Sequence, residues 1–111
     1  MSDALDLFFA PRSVAVVGAS SRPEAVGHAL LKNLLYGEMH GEDRGQGFQG
    51  DIHAVNHKGG EILGQPVKKS LGEIGAPVDL VMIAIPPKYV KGVIEEAGEL
   101  GAKAVIVISA G

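Results

Sequence analysis

Apolar residues in this chain come in short unbroken runs, each stopped by glycine or proline and most followed by a segment of helical spacing. Val14 to Val17 is a β-branched run, entered at Ser13, that halts at Gly18; this predicts a buried strand ending in a tight turn. Beyond the turn, Gly27, Leu30, Leu31 and Leu34 share one helical face, so a helix is expected from about Glu24 to Tyr36 with that face on a sheet. Gly27 there would let the helix approach closely. Ile52 to Val55 reads as a second strand, ending in the glycine-rich crest Asn56-His57-Lys58-Gly59-Gly60, and a weaker β segment sits near Pro66-Val67. Ser70-Leu71-Gly72-Glu73 has the Ser-x-x-Glu capping-box pattern, which predicts one or two helical turns from Ser70 to Gly75.

Leu80 to Ile85 is apolar at every position, as a central strand covered on both faces should be. Pro86-Pro87 then opens a helix in which Val90, Val93, Ile94 and Ala97 fall at i, i+3, i+4 and i+7, with Lys91 and Glu95 on the outer side. Ala104 to Ile108 is the last strand, and Ser109-Ala110-Gly111 begins another crest. Two segments stand apart from this alternation. A short helix through Leu5, Leu7, Phe8 and Phe9 is capped by Ser2 or Asp3 and ended by Pro11, and the polar stretch from Gly37 to Gly50 reads as a loop.

Strands separated by helical segments argue for an α/β fold with a doubly wound, mostly parallel sheet. Right-handed crossovers place the crests after Val17, Val55, Ile85 and Ile108 along one edge. In such sheets ligands bind in the crevice outside that edge.

Composition narrows the choice of ligand. The chain has 111 residues, 46% of them apolar, which suits one domain with its own core. It has no cysteine, so a disulfide framework or a thiolate zinc site is excluded and a cytoplasmic setting is the expectation. No apolar run approaches the roughly 20 residues of a membrane span, so no membrane partner is expected. Ten basic against thirteen acidic side chains give a formal charge of −3, and three Phe and two Tyr are the only aromatics; both facts argue against a nucleic-acid partner.

The strand-glycine-helix opening aims backbone N–H groups and a helix N-terminus at an anion, a cradle for phosphate or pyrophosphate. A dinucleotide fold for NAD fits poorly. Gly18 is followed by Ala19, Ser20, Ser21, Arg22 and Pro23 rather than by the spacing G-x-G-x-x-G. The second strand ends in Asn56 and Lys58 where an acidic ribose ligand is normal. A lysine there suits a phosphorylated ribose, as in coenzyme A with its 3′-phosphate or NADP with its 2′-phosphate.

Four segments carry a resemblance covering almost the whole chain: Leu5 to Ser20, the Ala-Val-Asn-His-Lys crest, Pro77 to Pro87, and Lys103 to Gly111. Together they resemble the Rossmann-like CoA-binding domain of NDP-forming acyl-CoA synthetases. The same domain type begins the α subunit of succinyl-CoA synthetase and the regulatory half of some bacterial protein lysine acetyltransferases. The resemblance implies that CoA or acyl-CoA is held by Gly18, Ala19, Ser20, Ser21 and Arg22 in the first turn, by Asn56 and Lys58, by Ile85 and Pro86, and by Ser109. His57 stands where the family usually has proline, which should loosen that crest, and the loop from Gly41 to Gly50 is longer than usual.

The resemblance further implies that residues 1–111 are one CoA-binding domain cut from a larger enzyme, whose other domains or subunit are its partners. In that family a phosphorylated histidine in a second domain supports acid–thiol ligation, so no catalytic residue and no complete reaction are expected here. The alternatives are a stand-alone or acetyltransferase-regulating CoA module and, behind it, an NADP-binding oxidoreductase domain. His28, His40, His53 and His57 show no His-x-x-x-His spacing, so no metal site is expected; packing accounts for His28 and His53, while His57 lies on the ligand crest. Ser20 and Ser21 lack a nucleophile elbow, and phosphate binding or helix capping suits them better.

Overall fold

The computed structural model describes residues 11–39, 42–43, 47–48 and 50–108. The helix expected through Leu5 to Phe9, and Ser109 with its crest, lie outside the described residues. In chain order the elements are β1 (Ser13–Val17), α1 (Val26–Tyr36), β2 (Glu38–Met39), β3 (Glu42–Asp43), β4 (Asp51–Val55), β5 (Glu61–Ile62), β6 (Gln65–Lys68), a 3-10 turn (Leu71–Ile74), β7 (Leu80–Ile83), α2 (Pro87–Glu99) and β8 (Ala104–Val107).

Six strands form one sheet in the order β5–β6–β4–β1–β7–β8, all parallel except β5, which pairs antiparallel with β6. Every residue of β1 is buried, because it lies inside the sheet with a layer on each face. Leu31 of α1, with Leu30 and Leu34, packs on Val16, Ala54 and Val67. On the opposite face Ala97 of α2 and Leu71 of the 3-10 turn cover Ala15, Val17, Val81 and Ile83. The architecture is the doubly wound α/β sheet that the apolar runs predict. From β1 the chain builds outward through β4 and β6, then returns to add β7 on the other side of β1. The winding therefore reverses between β1 and β7, and the ends of those two strands frame the crevice.

Two glycines make this corner possible. Gly18 has φ +98°, and a Cβ on it would collide with the Ala84 carbonyl oxygen. Gly27, buried in the first turn of α1, comes so near the Gly18 carbonyl that it too has no room for a Cβ.

Several boundaries and one face differ from the sequence reading. Helix α1 begins at Val26 rather than near Glu24, because the Ala25 N–H closes a turn onto the Arg22 carbonyl (3.0 Å) and Ala25 is extended. The stretch expected as loop after Gly37 includes a short antiparallel pair, β2 with β3. The weak segment near Pro66 is a hairpin, β5–β6, turning through Leu63 (φ 51°) and Gly64 (φ 79°). Two successive positive φ values are what a two-residue hairpin of type I′ requires. The capping box does not form: Ser70 makes no side-chain cap, and the Glu73 carboxylate accepts the Lys69 backbone N–H at 2.9 Å, one residue before the cap.

Strand β7 stops at Ile83, leaving Ala84 and Ile85 to the crest, and β8 stops at Val107. On α2, Val90, Val93 and Ala97 meet the core but Ile94 is 42% exposed, since the helix shows the sheet a narrower stripe than its apolar spacing suggests. Among the described residues no helix is long and apolar enough to cross a membrane.

Candidate functional site

The carboxyl ends of β1, β4, β6 and β7 open into a cleft of about 640 Å³, within the range of small-ligand sites. Its floor is Val17, Gly18 and Ala84. Ser20, Arg22 and Ala25 form one wall, Asn56, His57, Lys58 and Lys69 another, and Ile85, Pro86 and Tyr89 the apolar side. Seven of the ten residues named from the sequence thus share one cavity: Gly18, Ser20, Arg22, Asn56, Lys58, Ile85 and Pro86. Ala19 does not line it; its side chain is fully buried in the core beneath α1. Ser21 is exposed beside the cleft, and Ser109 lies outside the described residues.

The turn after β1 is wired differently from a simple amide cradle. The N–H groups of Gly18 and Ala19 both donate to the Val55 carbonyl, at 2.9 and 3.2 Å, and so hold β1 to β4 instead of pointing at a ligand. Ser20 and Ser21 are left with N–H groups that donate to no other described residue. The Ser20 hydroxyl accepts the Arg22 N–H at 3.1 Å, and His28 Nδ1 donates to the Ser20 carbonyl at 2.9 Å. His28 is therefore a brace for the turn and not only a packing residue. Helix α1 has no side-chain cap and no acidic residue in its first turn, so its N-terminal partial charge beside Ala25 stays open to an anion.

Asn56 ties the neighbouring crest to this turn. Its Nδ2 donates to the Ala19 carbonyl at 2.7 Å, and its Oδ1 accepts the Lys58 N–H at 2.8 Å. With the Gly59 N–H on the Asn56 carbonyl at 2.9 Å, this is an Asx-type turn. The crest is thus fixed with His57, and not proline, after the asparagine. Asn56→Ala breaks both side-chain bonds and strands the buried Ala19 carbonyl. It is expected to destabilise the domain by about 1–3 kcal/mol, read from the midpoint of urea unfolding; an unchanged midpoint would remove Asn56 as the brace.

Charge completes the picture. Arg22, Lys58 and Lys69 line the cleft, and no carboxylate stands among its lining residues. Arg22 Nε pairs with Glu24 at 2.9 Å on the open surface. A backbone hydrogen bond and Arg22 hold the Glu24 carboxyl below the usual carboxylate range. Lys69 and Tyr89 were not legible as site residues, because Lys69 follows the weakest strand and Tyr89 sits on the first turn of α2 among exposed positions. Among the described residues no three His, Cys, Asp or Glu side chains cluster as a metal site would need, and His53 Nε2 is enclosed with no hydrogen-bond partner there.

A phosphate-bearing ligand is what such a cleft can attract, and comparison with known proteins narrows the class. Residues 12–111 match the family described as CoA binding domain. The chain belongs to that family. This CoA-binding domain is 43% identical, over 111 residues, to the α subunit of ADP-forming acetate–CoA ligase I of Pyrococcus furiosus; the match covers 96% of this chain and 22% of the relative. The solved structure of a dinucleotide-forming acetyl-coenzyme A synthetase from Ca. Korarchaeum cryptofilum, in complex with phosphate and ADP, superposes with a TM-score of 0.82 at 33% identity, covering 96% of this chain and 21% of that one. A conserved hypothetical protein from Pyrococcus furiosus superposes with a TM-score of 0.72 at 30% identity, covering 89% of this chain and 76% of that one. The CoA-binding domain spans about a fifth of the length of the curated relatives it matches first, 22% and 21%. It is homologous to the N-terminal part of ADP-forming acyl-CoA synthetases.

Proposed function

We propose that this domain holds coenzyme A or an acyl-CoA in the cleft at the ends of β1, β4, β6 and β7, as part of an ADP-forming acid–thiol ligase. The observation that carries this reading is a cleft lined by Lys58, Lys69 and the Glu24-paired Arg22 and by no carboxylate, in a chain whose formal charge is −3. A field that is unfavourable overall is thus reversed locally, where a polyanionic ligand would enter. Family membership favours CoA over NADP, and no second substrate site for hydride transfer is evident among the described residues.

The N–H groups of Ser20 and Ser21, the open start of α1 and Arg22 suit the diphosphate. Lys58, fixed by Asn56, suits the 3′-phosphate. Ile85 and Pro86 offer apolar surface to the rest of the ligand, Gly18 and Ala19 shape the turn, and Ser109 keeps the role the resemblance implies. When bound, CoA supplies the thiol that accepts an acyl group; this domain's own residues bind and orient it. The other domains of a ligase, or a partner subunit, would supply the remaining machinery. A stand-alone CoA module is the second reading, supported by the small Pyrococcus furiosus protein of which this chain covers 76%.

Calorimetric titration tests the assignment directly. CoA is expected to bind more tightly than NAD, because Lys58 occupies the place of the acidic ribose ligand. Binding of NAD without binding of CoA would overturn it.

A further inference from the structure

We infer that Lys69 acts with Lys58 as a two-cation subsite for a terminal phosphomonoester, so that the domain selects CoA over ligands ending in an unphosphorylated ribose. This rests on the CoA reading above and adds to it a residue from a different strand. Parallel pairing sets Val55 of β4 beside Lys68 of β6, and the Asn56 N–H donates to the Lys68 carbonyl at 2.9 Å. The crest after β6 therefore lies against the crest that carries Lys58.

The stem of Lys69 then lies over Gly59. A Cβ built on Gly59 would come within 3.3 Å of Lys69 Cε and 3.4 Å of its Cγ. The missing side chain at Gly59 gives the lysine its track past the residue next to Lys58, and both lysines line the same cleft. The Lys69 backbone is anchored as well, through its N–H to the Glu73 carboxylate. Its ammonium makes no ion pair with a described residue.

A phosphomonoester carries about −1.5 to −2 charge at neutral pH, whereas each phosphate of a diphosphate bridge carries about one. Two ammonium groups on adjacent crests match the first and exceed what the second needs. Lysines are suited to this as mobile point charges that need no bidentate geometry.

The test is the ratio of affinities for CoA and dephospho-CoA, measured by calorimetry on the full chain and its variants. Lys69→Ala is expected to reduce that ratio by roughly five- to twentyfold, the effect of one charge-assisted contact at an exposed site. Dephospho-CoA affinity should stay within about twofold. Lys69→Met keeps an unbranched stem over Gly59 and should show the same loss, while Lys69→Arg should restore most of the preference. Equal melting temperatures would show that the variants fold alike. If Lys69→Ala leaves the ratio unchanged, or weakens both ligands equally, the subsite is wrong although CoA still binds. If the unsubstituted chain binds neither ligand, the CoA reading falls and this inference with it.

Discussion

Replacing Gly27 with alanine is expected to lower the melting temperature by about 10 °C and to weaken every ligand of the cleft together. The added methyl group would overlap the Gly18 carbonyl, which is backbone and cannot swing aside like a flexible side chain. Helix α1 would have to lift from the turn. Overpacking of this kind typically costs about 1–3 kcal/mol, and each kcal/mol moves the midpoint of a domain this size by about 4–8 °C. The movement would also carry Ala25 and the open start of α1 away from Ser20, so binding should fall with stability. Gly92→Ala in α2 is the control, because nothing lies within 4 Å of a Cβ there and alanine favours a helix by up to about 1 kcal/mol. Thermal unfolding followed by circular dichroism separates the two. Equal melting temperatures for Gly27→Ala and the parent chain would mean that helix and turn are not in contact.

What the sequence reveals here depends on whether a feature follows from local spacing or from pairing between distant segments. β1 and β7 are readable because strands with a layer on each face need apolar residues at every position, and α2 is readable because Pro87 opens it. Gly18 and Gly27 are readable as a turn and a close approach. The β5–β6 hairpin is hidden because Leu63 occupies a left-handed position that usually signals itself with Asn, Asp or Gly. The use of the Gly18 and Ala19 N–H groups by Val55 is hidden for another reason. It follows from the parallel pairing of β1 with β4, which no local pattern encodes. Lys69 is missed on the same ground, since its place beside Lys58 comes from β6 joining β4. Ile94 shows the opposite error: its spacing is right, but the width of the buried stripe depends on how much sheet lies beneath the helix.

Lys58→Ala is expected to weaken CoA binding by about ten- to a hundredfold while hardly changing the affinity for dephospho-CoA. CoA carries several negative charges and the chain is itself acidic, so attraction has to come from local donors. The turn after β1 cannot provide all of them. Its first two N–H groups are held by Val55, and those of Ser20 and Ser21, with the start of α1, are the ones proposed for the diphosphate. In the proposed pose the 3′-phosphate, on the ribose at the other side of that bridge, falls beside the crest of β4. There Lys58 has an advantage over a free surface lysine, because Asn56 Oδ1 fixes its backbone N–H at 2.8 Å and so lowers the ordering cost of contact. Losing one charge-assisted contact of this kind costs about 1.5–3 kcal/mol. Lys69, on the neighbouring crest, keeps some attraction for the phosphate, so the loss should stop short of eliminating the preference for CoA. Both affinities should be measured at low and at physiological salt. Screening over a Debye length of about 8 Å should narrow the gap between the parent chain and the variant. Equal weakening of CoA and dephospho-CoA by Lys58→Ala would show that the lysine does not read the 3′-phosphate, and that the ligand runs through the cleft in another direction.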